Sequence, residues 1–483
     1  MLRRSGFSLA LGALLFVAGC TTNPATGRTH IAPLMSPEQE ARAGADAHPK
    51  ILETYGGVYG DERVGAYVAK VTSRIAKGSD RPDIAYRVTV LDSPIVNAFA
   101  LPGGYVYVTR GLLSLVDDEA ELAGVLGHEI GHVVARHSAQ RQTAALGASV
   151  VGAVLGAVVG SSAVNQAVSM GGQGLLASYS RDQEFEADTI GVRYLARAGY
   201  DPYAEADFLQ TMDAQEQLSA LVSRQKQSGS GMDWLASHPA TPDRVAAARA
   251  HADETGMQPG TGDRQRESFM RAIDGLIYGD SPENGIVRGQ MFMHPKLRIA
   301  FSVPKDFVMT NTAKAVIAQG PGKTVVKFDS GQKAPGTDIA TYLTSVWAKG
   351  VELQGLQRFT INGMNAAASA AVVGEYNAQL VAIEAEPGTV YRFLMGTKPE
   401  AGTRYNAALR DVAMSFRRLS EAEARAVKPL RIRIAAVQPG DTVATLASRM
   451  AFSDYKVERF RVLNGLGQGR QLKPGMLVKI VTD

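Results

Sequence analysis

The pentapeptide His-Glu-Ile-Gly-His at residues 128–132 constrains the fold of this chain more than any other feature of its sequence. Residues four apart lie on one face of an α-helix, so His128 and His132 can reach a single zinc ion. Glu129 is then placed beside the water that the ion activates. Leu122 and Val125 belong to an apolar stripe that precedes the motif, which indicates a buried helix rather than two surface histidines.

The start and end of this helix can also be predicted. Asp117 or Asp118 can cap its N-terminus, and further acidic residues occupy the first turn, where the helix dipole favours negative charge. We predict that the helix runs through His137. That residue comes five positions after His132, where the metzincin pattern requires six, so we expect His137 to be a polar contact and not a ligand.

A catalytic zinc ion needs a third protein ligand and an open position, and a second acidic stretch offers candidates. Glu184 and Asp188 are four apart on one predicted helical face, so one can ligate the metal while the other orients a ligand histidine. Glu186 lies on a different face of the same helix and is the worse candidate. From spacing alone, the choice between Glu184 and Asp188 stays open.

Together these motifs resemble the zinc metallopeptidase family of HtpX, BepA and the CAAX prenyl proteases, a gluzincin family. The pattern His-Glu-x-x-His followed some fifty residues later by Glu184-x-x-x-Asp188 carries the resemblance, which extends over about residues 60–250. The stretch from Asn97 to Gly104 matches the family's strand and turn upstream of the zinc helix. The stretch Ser-His-Pro-x-x-x-x-Arg that ends at Arg244 matches its downstream element.

The resemblance implies one Zn²⁺ per chain, bound by His128, His132 and Glu184. It also implies a catalytic set for peptide hydrolysis, in which the oxyanion needs a positive or donor group besides the metal. The implied catalytic residues are Glu129 as general base, Asp188, and the candidate oxyanion donors His238 and Arg244. His238 has two alternatives: it can close the open zinc position in a resting state, or it can simply pack before Pro239.

Substrate binding is expected along the strand upstream of the zinc helix. Asn97, Phe99 and Ala100 can bind a substrate backbone by addition of a strand at the sheet edge, or they can serve the sheet alone. Protein or peptide chains are therefore the expected substrates.

The N-terminus has the features of an export signal. Arg3 and Arg4 precede an apolar segment too short to span a bilayer, and the segment ends in Val-Ala-Gly-Cys. This ending resembles the lipobox of bacterial lipoproteins, which implies cleavage after Gly19 and lipidation of Cys20, the chain's single cysteine. The alternative is an ordinary secretory signal with an incidental cysteine. Thr21 at the next position favours the periplasmic face of the outer membrane by resemblance to known sorting rules.

Residues 146–160 are apolar and small, with Gly152, Gly156 and Gly160 at every fourth position. About fifteen residues are short for a membrane span. We interpret the segment either as a lid or membrane-dipping element or as a buried helix against the catalytic core.

The C-terminal stretch resembles a LysM domain, with Gly440-Asp441-Thr442 and Leu463-Asn464-Gly465 as landmarks. The resemblance implies a βααβ fold and peptidoglycan as a partner; a packing or docking module is the alternative. Upstream of it, alternating apolar runs predict a small α+β domain with an antiparallel sheet. The predicted parts are a signal peptide (1–19), a lipidated cysteine and tether (20–55), a peptidase domain (56–280), an α+β domain of unknown role (285–418) and a LysM-like domain (431–483).

The chain is 45% hydrophobic and 20% charged, which suits several buried cores. Its net charge of +4 gives no basic footprint, so no nucleic-acid partner is expected. We therefore predict an α+β fold: a mainly helical zincin-type domain with a small antiparallel sheet, followed by the two further domains. The predicted function is a lipid-anchored periplasmic zinc endopeptidase, with roles in envelope protein quality control. The alternatives are a non-proteolytic assembly factor or scaffold bound to peptidoglycan, or a peptidoglycan hydrolase; the intact Glu129 favours an enzyme.

Overall fold

A computed structural model describes residues 20–31, 35–141, 179–226, 238–239, 241–467 and 471–483. The predicted signal peptide and the small-residue segment 146–160 lie outside these residues. Within the described parts, none of the helices is both long and apolar enough to cross a membrane. Helix and strand both contribute substantially, in agreement with the predicted α+β class.

The N-terminal region up to residue 280 is mainly helical. Its helices are α1 (Pro37–Thr54), α2 (Glu62–Lys77), α3 (Arg110–Leu115), α4 (Glu119–Val134), α5 (Arg181–Arg197), α6 (Ala204–Lys226), α7 (Pro242–Glu254) and α8 (Arg266–Ile273). Its strands are β1 (Cys20–Thr22), β2 (Thr29–Ile31), β3 (Arg87–Leu91), β4 (Ala98–Leu101), β5 (Tyr105–Thr109) and β6 (Ile277–Tyr278).

Side-chain caps fix where the helices of the site begin. Asp118 accepts a hydrogen bond from the backbone N–H of Glu121 at the start of α4. Ser180 forms a capping box with Gln183 at the start of α5. Thr241 caps α7, whose first residue is a proline, a residue that lacks the N–H this position leaves unpaired.

Two of the predictions for this region are wrong. The sheet is not antiparallel but mixed, in the order β3-β5-β4, because β3 pairs in parallel with β5 while β4 pairs antiparallel with it. Helix α4 does not run through His137 but ends at Val134. Arg136 has a φ of 57°, which the right-handed helix excludes, and residues 137–141 are helical again after this break.

The segment predicted as a tether is ordered where the structure describes it. Residues 20–31 form a hairpin of β1 and β2, and α1 follows. A capping box at Ser36 stabilises the first turn of α1. The buried Ile51 and Tyr55 join an aromatic cluster with Phe99 and Tyr107.

Helix α4 lies at the centre of the region, and all of its residues except Val133 are buried. It packs against α5 at a glycine contact: a Cβ on Gly191 would lie 3.1 Å from the backbone nitrogen of His128. A Cβ on Gly127 would lie 3.3 Å from the Cα of Gly191. Small residues at this crossing let the two backbones approach closely, so ligands from both helices can meet.

The middle region is built on two antiparallel sheets. The larger has seven strands in the order β10-β11-β12-β16-β15-β14-β13, and the smaller has the order β17-β9-β8-β7. Its strands are β7 (Ile286–Arg288), β8 (Met291–His294), β9 (Ile299–Ser302), β10 (Val308–Asn311), β11 (Val316–Gly320), β12 (Thr324–Gln332), β13 (Leu353–Ile361), β14 (Met364–Val373), β15 (Tyr376–Glu386), β16 (Thr389–Thr397) and β17 (Arg417–Arg418). Its helices are α9 (Ile339–Thr341, continued as a π-helical turn over Tyr342–Trp347), α10 (Asn406–Met414) and α11 (Glu421–Ala426).

The C-terminal unit has the order β18 (Leu430–Ala436), α12 (Val443–Ser448), α13 (Lys456–Leu463) and β19 (Leu477–Thr482). Its two strands form a sheet with β6 of the N-terminal region, in the order β19-β18-β6. The buried apolar side chains of this unit belong to the same hydrophobic core as those of α2 and α4. The unit is therefore packed on the N-terminal region.

Candidate metal centre

Four buried side chains from three parts of the chain converge beside α4. His128 and His132 come from α4, Glu184 from α5, and His238 from the stretch that precedes α7. The Nε2 atoms of the two α4 histidines are 3.0 Å apart, and each lies 3.5 Å from an oxygen of Glu184. His238 Nδ1 lies 3.3 Å from His128 Nε2 and 2.9 Å from Glu184 Oε1.

These separations suit a metal ion. Four ligands held tetrahedrally at about 2.1 Å from one ion are about 3.4 Å from each other. The observed donor separations of 2.9–3.5 Å are close to or somewhat shorter than that value. Imidazole nitrogens with one carboxylate oxygen form a donor set typical of transition metals.

The protonation states of Glu184 and His132 suit metal binding. Burial raises the pKa of Glu184, but the charge of His238 and hydrogen bonds from His128 and His238 hold it well below its usual value. Glu184 is therefore a carboxylate. Burial lowers the pKa of His132 well below its usual value, so its ring is neutral, the state in which imidazole binds a metal.

Glu129 is the most exceptional group of the site. It is fully buried, and neither carboxylate oxygen has a hydrogen-bond partner among the described residues. Its Oε1 lies 3.7 Å from Nε2 of His238, at the edge of the donor group. Burial raises the pKa of Glu129. A buried carboxylate without partners is costly, so its position implies a species that it contacts when the centre is loaded.

Asp188 lies behind His128, on the side away from the donor group. It accepts a hydrogen bond from Nδ1 of His128 at 2.9 Å, and Arg244 donates to both of its oxygens at 2.6 and 2.7 Å. Burial raises the pKa of Asp188, but the charge and hydrogen bonds of Arg244 lower it by more. The net pKa lies below the usual value, so Asp188 is ionised. The carboxylate fixes the ring so that Nε2 faces the other donors.

Arg244 contacts the carboxylates of the centre and the backbone beside His238. Besides Asp188, it lies 2.9 Å from Glu184 Oε2 and donates to the backbone oxygen of Pro239 at 2.9 Å. Its side chain is buried. His238, the other predicted oxyanion donor, lies within the donor group itself.

The structure also brings in residues that the sequence analysis did not assign to the site. His137 Nδ1 lies 2.7 Å from His132 Nδ1, and Glu186 Oε2 lies 3.3 Å from His137 Nε2. The ring of Tyr179 stacks on His132 at a centroid distance of 3.7 Å. The expectation that His137 makes a polar contact agrees with this arrangement, but nothing in the spacing indicates Tyr179.

Glu205, from α6, is a further buried carboxylate near Asp188. A Cβ on Gly124 would lie 2.5 Å from its Oε2, so a glycine in α4 makes room for it. Burial and the charge of Asp188 raise the pKa of Glu205 to about 7. No motif signals this residue, because its proximity depends on how α6 crosses α4.

The predicted substrate-binding residues are divided by the alternation of β4. Ala100 faces α4 and lines a narrow cleft with His132 and Ser138. Phe99 faces the other way, into the aromatic cluster of α1, and Asn97 donates to Tyr55 Oη at 3.4 Å. The structure therefore brings Ala100 to the donor group, but not the side chains of Asn97 or Phe99. The outer edge of β4 is unpaired among the described strands.

Buried histidines and a carboxylate lie around Glu129, which makes no hydrogen bond to the described residues, on a helix with the sequence His-Glu-x-x-His. These features define the class of metal-dependent peptidases. Residues 62–252 match the model of Peptidase family M48. The chain therefore contains a domain that matches that family, and the predicted resemblance to the metallopeptidase family is confirmed.

Two curated relatives are similar to this chain over part of their length. "Mitochondrial metalloendopeptidase OMA1" of Schizosaccharomyces pombe is 30% identical over 232 residues, which cover 48% of this chain and 66% of the relative. "Beta-barrel assembly-enhancing protease" of Yersinia pestis is 27% identical over 332 residues, which cover 63% of this chain and 66% of the relative. The chain thus spans just under two thirds of the length of these relatives.

Among solved structures, that of the cyanobacterial PsbP (CyanoP) of Synechocystis sp. PCC 6803 is 11% identical. It covers 28% of this chain and 95% of its own length with a TM-score of 0.22, a likeness too low to support an argument.

Proposed function

We propose that this protein is a zinc-dependent endopeptidase, lipid-anchored on the periplasmic side of the cell envelope, that acts in protein quality control. The observation that carries the proposal is Glu129: a fully buried carboxylate with no hydrogen-bond partner among the described residues, beside three histidines and a second carboxylate. The metallopeptidase names of the relatives support the reaction class. The name of the Yersinia relative supports envelope proteins as substrates.

In this mechanism His128, His132 and Glu184 would hold the metal, and His238, which belongs to the same donor group, would be a fourth donor in a resting state. A bound zinc ion supplies the positive charge that activates water and polarises a peptide carbonyl. Glu129 takes a proton from the attacking water at a carboxylate oxygen and delivers it to the leaving amine. Burial favours the protonated form that this delivery requires.

The other residues hold this arrangement. Asp188 orients His128, and Arg244 forms ion pairs with both Glu184 and Asp188 of α5. Arg244 therefore acts as a positioning residue in this proposal, in place of the predicted oxyanion donor. The unpaired edge of β4, next to His132, offers backbone N–H and C=O groups to an extended substrate.

The test combines metal analysis with cleavage of an unfolded protein such as casein. We expect Glu129→Gln to retain one zinc per chain and to lose cleavage by at least about 10²-fold, since the amide cannot take up the proton. Glu62→Gln, an exposed change of the same kind at the start of α2, is the control and should leave cleavage unchanged. A wild-type protein without zinc, or equal cleavage by both variants, would contradict the proposal.

For the C-terminal unit we propose binding to peptidoglycan, which would hold the enzyme near the cell wall. The βααβ order and the exposed turn at Gly440 and Asp441 support this proposal. The landmark Asn464 has a structural role instead, since it is buried and bonds to the backbone of Phe460 and Lys479. Sedimentation with insoluble peptidoglycan tests the proposal, and we expect the protein to sediment with it. The muropeptide profile should stay unchanged, because the proposal includes no hydrolysis of the wall.

A further inference from the structure

The hairpin that follows Cys20 contacts the α5 helix at a defined place. Its turn is ordered by hydrogen bonds from Asn23 N to Arg28 O and from Ala25 N to the Asn23 side chain. Ala25 is buried in the main core, and Arg193 of α5 donates to its backbone oxygen. This packing brings two side chains of the hairpin, Asn23 and Thr26, to the same atom of α5.

That atom is Oε1 of Glu186. Asn23 Nδ2 donates to it at 2.7 Å and Thr26 Oγ1 at 2.5 Å. The other oxygen, Oε2, lies 3.3 Å from Nε2 of His137. Glu186 is 2% exposed, so its charge depends on these donors and not on water. The hairpin thus supplies hydrogen bonds that an ionised carboxylate needs at this position.

His137 continues the connection to His132. Their Nδ1 atoms are 2.7 Å apart, and His132 turns its Nε2 toward the donor group. If Nε2 of His132 binds the metal, its Nδ1 carries the proton and donates to Nδ1 of His137. His137 then carries its own proton on Nε2 and donates a hydrogen bond from that nitrogen to Glu186. With these tautomers, each hydrogen bond from His132 through His137 to Glu186 has one donor and one acceptor.

We propose that Asn23 and Thr26 are positioning residues for the metal ligand His132, acting through Glu186 and His137. His128 has a similar support in Asp188 and Arg244, but that support comes from within the peptidase domain. For His132 the support ends in the segment next to the predicted lipid anchor. Outer hydrogen-bond partners fix the tautomer and orientation of a ligand imidazole, and their loss costs about 10–100-fold in metal affinity.

The connection is reciprocal. If the docked hairpin strengthens metal binding, metal binding strengthens hairpin docking by the same factor. The inference rests on the proposed function in one respect, namely that His132 is a metal ligand.

The test measures zinc affinity of the full chain in detergent by competition with a chelator. Thr26→Val removes the hydroxyl and keeps the shape, and we expect a zinc dissociation constant raised about 10-fold. Thr26→Ser, which keeps the hydroxyl, should restore it. Thr22→Val, the same change at an exposed position of the same hairpin, should bind zinc like the wild type. Unfolding of the metal-free variants checks that the fold is retained.

A second measurement does not depend on these substitutions. Amide hydrogen exchange of residues 22–28 in the wild type should slow when zinc is added. Glu186→Gln, which lacks the charge, should reduce this effect and weaken zinc binding. Equal zinc affinity of Thr26→Val and Thr22→Val, or exchange unaffected by zinc, overturns the inference while the proposed function stands. A wild-type protein that binds no zinc overturns both.

Discussion

Arg244 contacts both carboxylates that α5 contributes to the metal centre. Its guanidinium donates two parallel hydrogen bonds to Asp188 and lies 2.9 Å from Glu184, and all three side chains are buried. A planar, permanently charged group is suited to this geometry, and an ammonium group is not, because it offers a single point of charge. The residue therefore links the orientation of His128 to the position of Glu184.

We predict that Arg244→Lys weakens zinc binding by about 10-fold or more, since it keeps the charge but loses the two parallel hydrogen bonds to Asp188. Chelator competition measures the effect. Arg249→Lys, on the same helix α7 but about half exposed, is the matched control and should behave like the wild type. Unchanged zinc affinity in Arg244→Lys would mean that Asp188 orients His128 without help.

At the scale of elements, the centre depends on how closely α4 and α5 approach. The two histidines of the donor group lie on one helix and Glu184 on the other, so any increase in the distance between the helices separates the donors. Gly127 and Gly191 face each other at this crossing, and neither position has room for a side chain without a shift of backbone.

We predict that Gly191→Ala destabilises the fold by about 1–3 kcal/mol, because its Cβ would lie 3.1 Å from the backbone of His128. Zinc affinity should fall in the same variant. Gly65→Ala in α2 is the control, for which we expect a higher free energy of unfolding. Its Cβ would meet none of the described atoms within 4 Å, and alanine stabilises a helix by up to about 1 kcal/mol relative to glycine. Denaturant unfolding measures both, and equal stability of the two variants would contradict the crowding argument.

At the scale of the whole molecule, the C-terminal unit is attached to the start of the zinc-motif helix. Lys479 of β19 is fully buried, and its Nζ donates to the backbone oxygens of Ser114, Leu115 and Val116 at the end of α3. It also lies 3.2 Å from Asp117, which directly precedes the cap of α4. A cation at the C-terminal end of a helix satisfies carbonyls that lack partners.

We predict that Lys479→Met lowers the free energy of unfolding by about 3–5 kcal/mol, since it leaves Asp117 and three carbonyls without their buried cation. The loss should appear in the unfolding of the peptidase domain, measured by a probe on α4. Lys473→Met, an exposed change in the same unit, should have little effect. A destabilisation confined to the C-terminal unit would show that the two regions unfold separately.

The hairpin of β1 and β2 would define how a lipid anchor on Cys20 is placed relative to the peptidase domain. Because β1 begins at Cys20 and the hairpin docks on α5, a lipid on this cysteine would hold the peptidase domain close to the membrane surface. We predict that Cys20→Ala moves the protein from the membrane fraction to the soluble fraction, measured by fractionation and immunoblotting. Thr22→Ala should remain in the membrane. Retention of the Cys20 variant would contradict the anchor.

Much of the site follows from local spacing. His128, Glu129 and His132 share a helix, and the 3.6-residue period places both imidazoles on one side of it. The same period pairs Glu184 with Asp188. In the middle region, alternating apolar runs predict an antiparallel sheet, because alternate side chains of a strand lie on opposite faces of the sheet.

The sequence by itself therefore determined which side chains can act together on one helix, and the tertiary structure decided how the helices meet. Only the crossing of α4 and α5 turns Glu184 to the donor group and Asp188 to the back of His128. In an unbroken helix His137 would lie about 140° around from His132, and the turn at Arg136 brings the two together. The docking of the hairpin and of Lys479 joins residues more than a hundred positions apart, and no local period encodes such contacts.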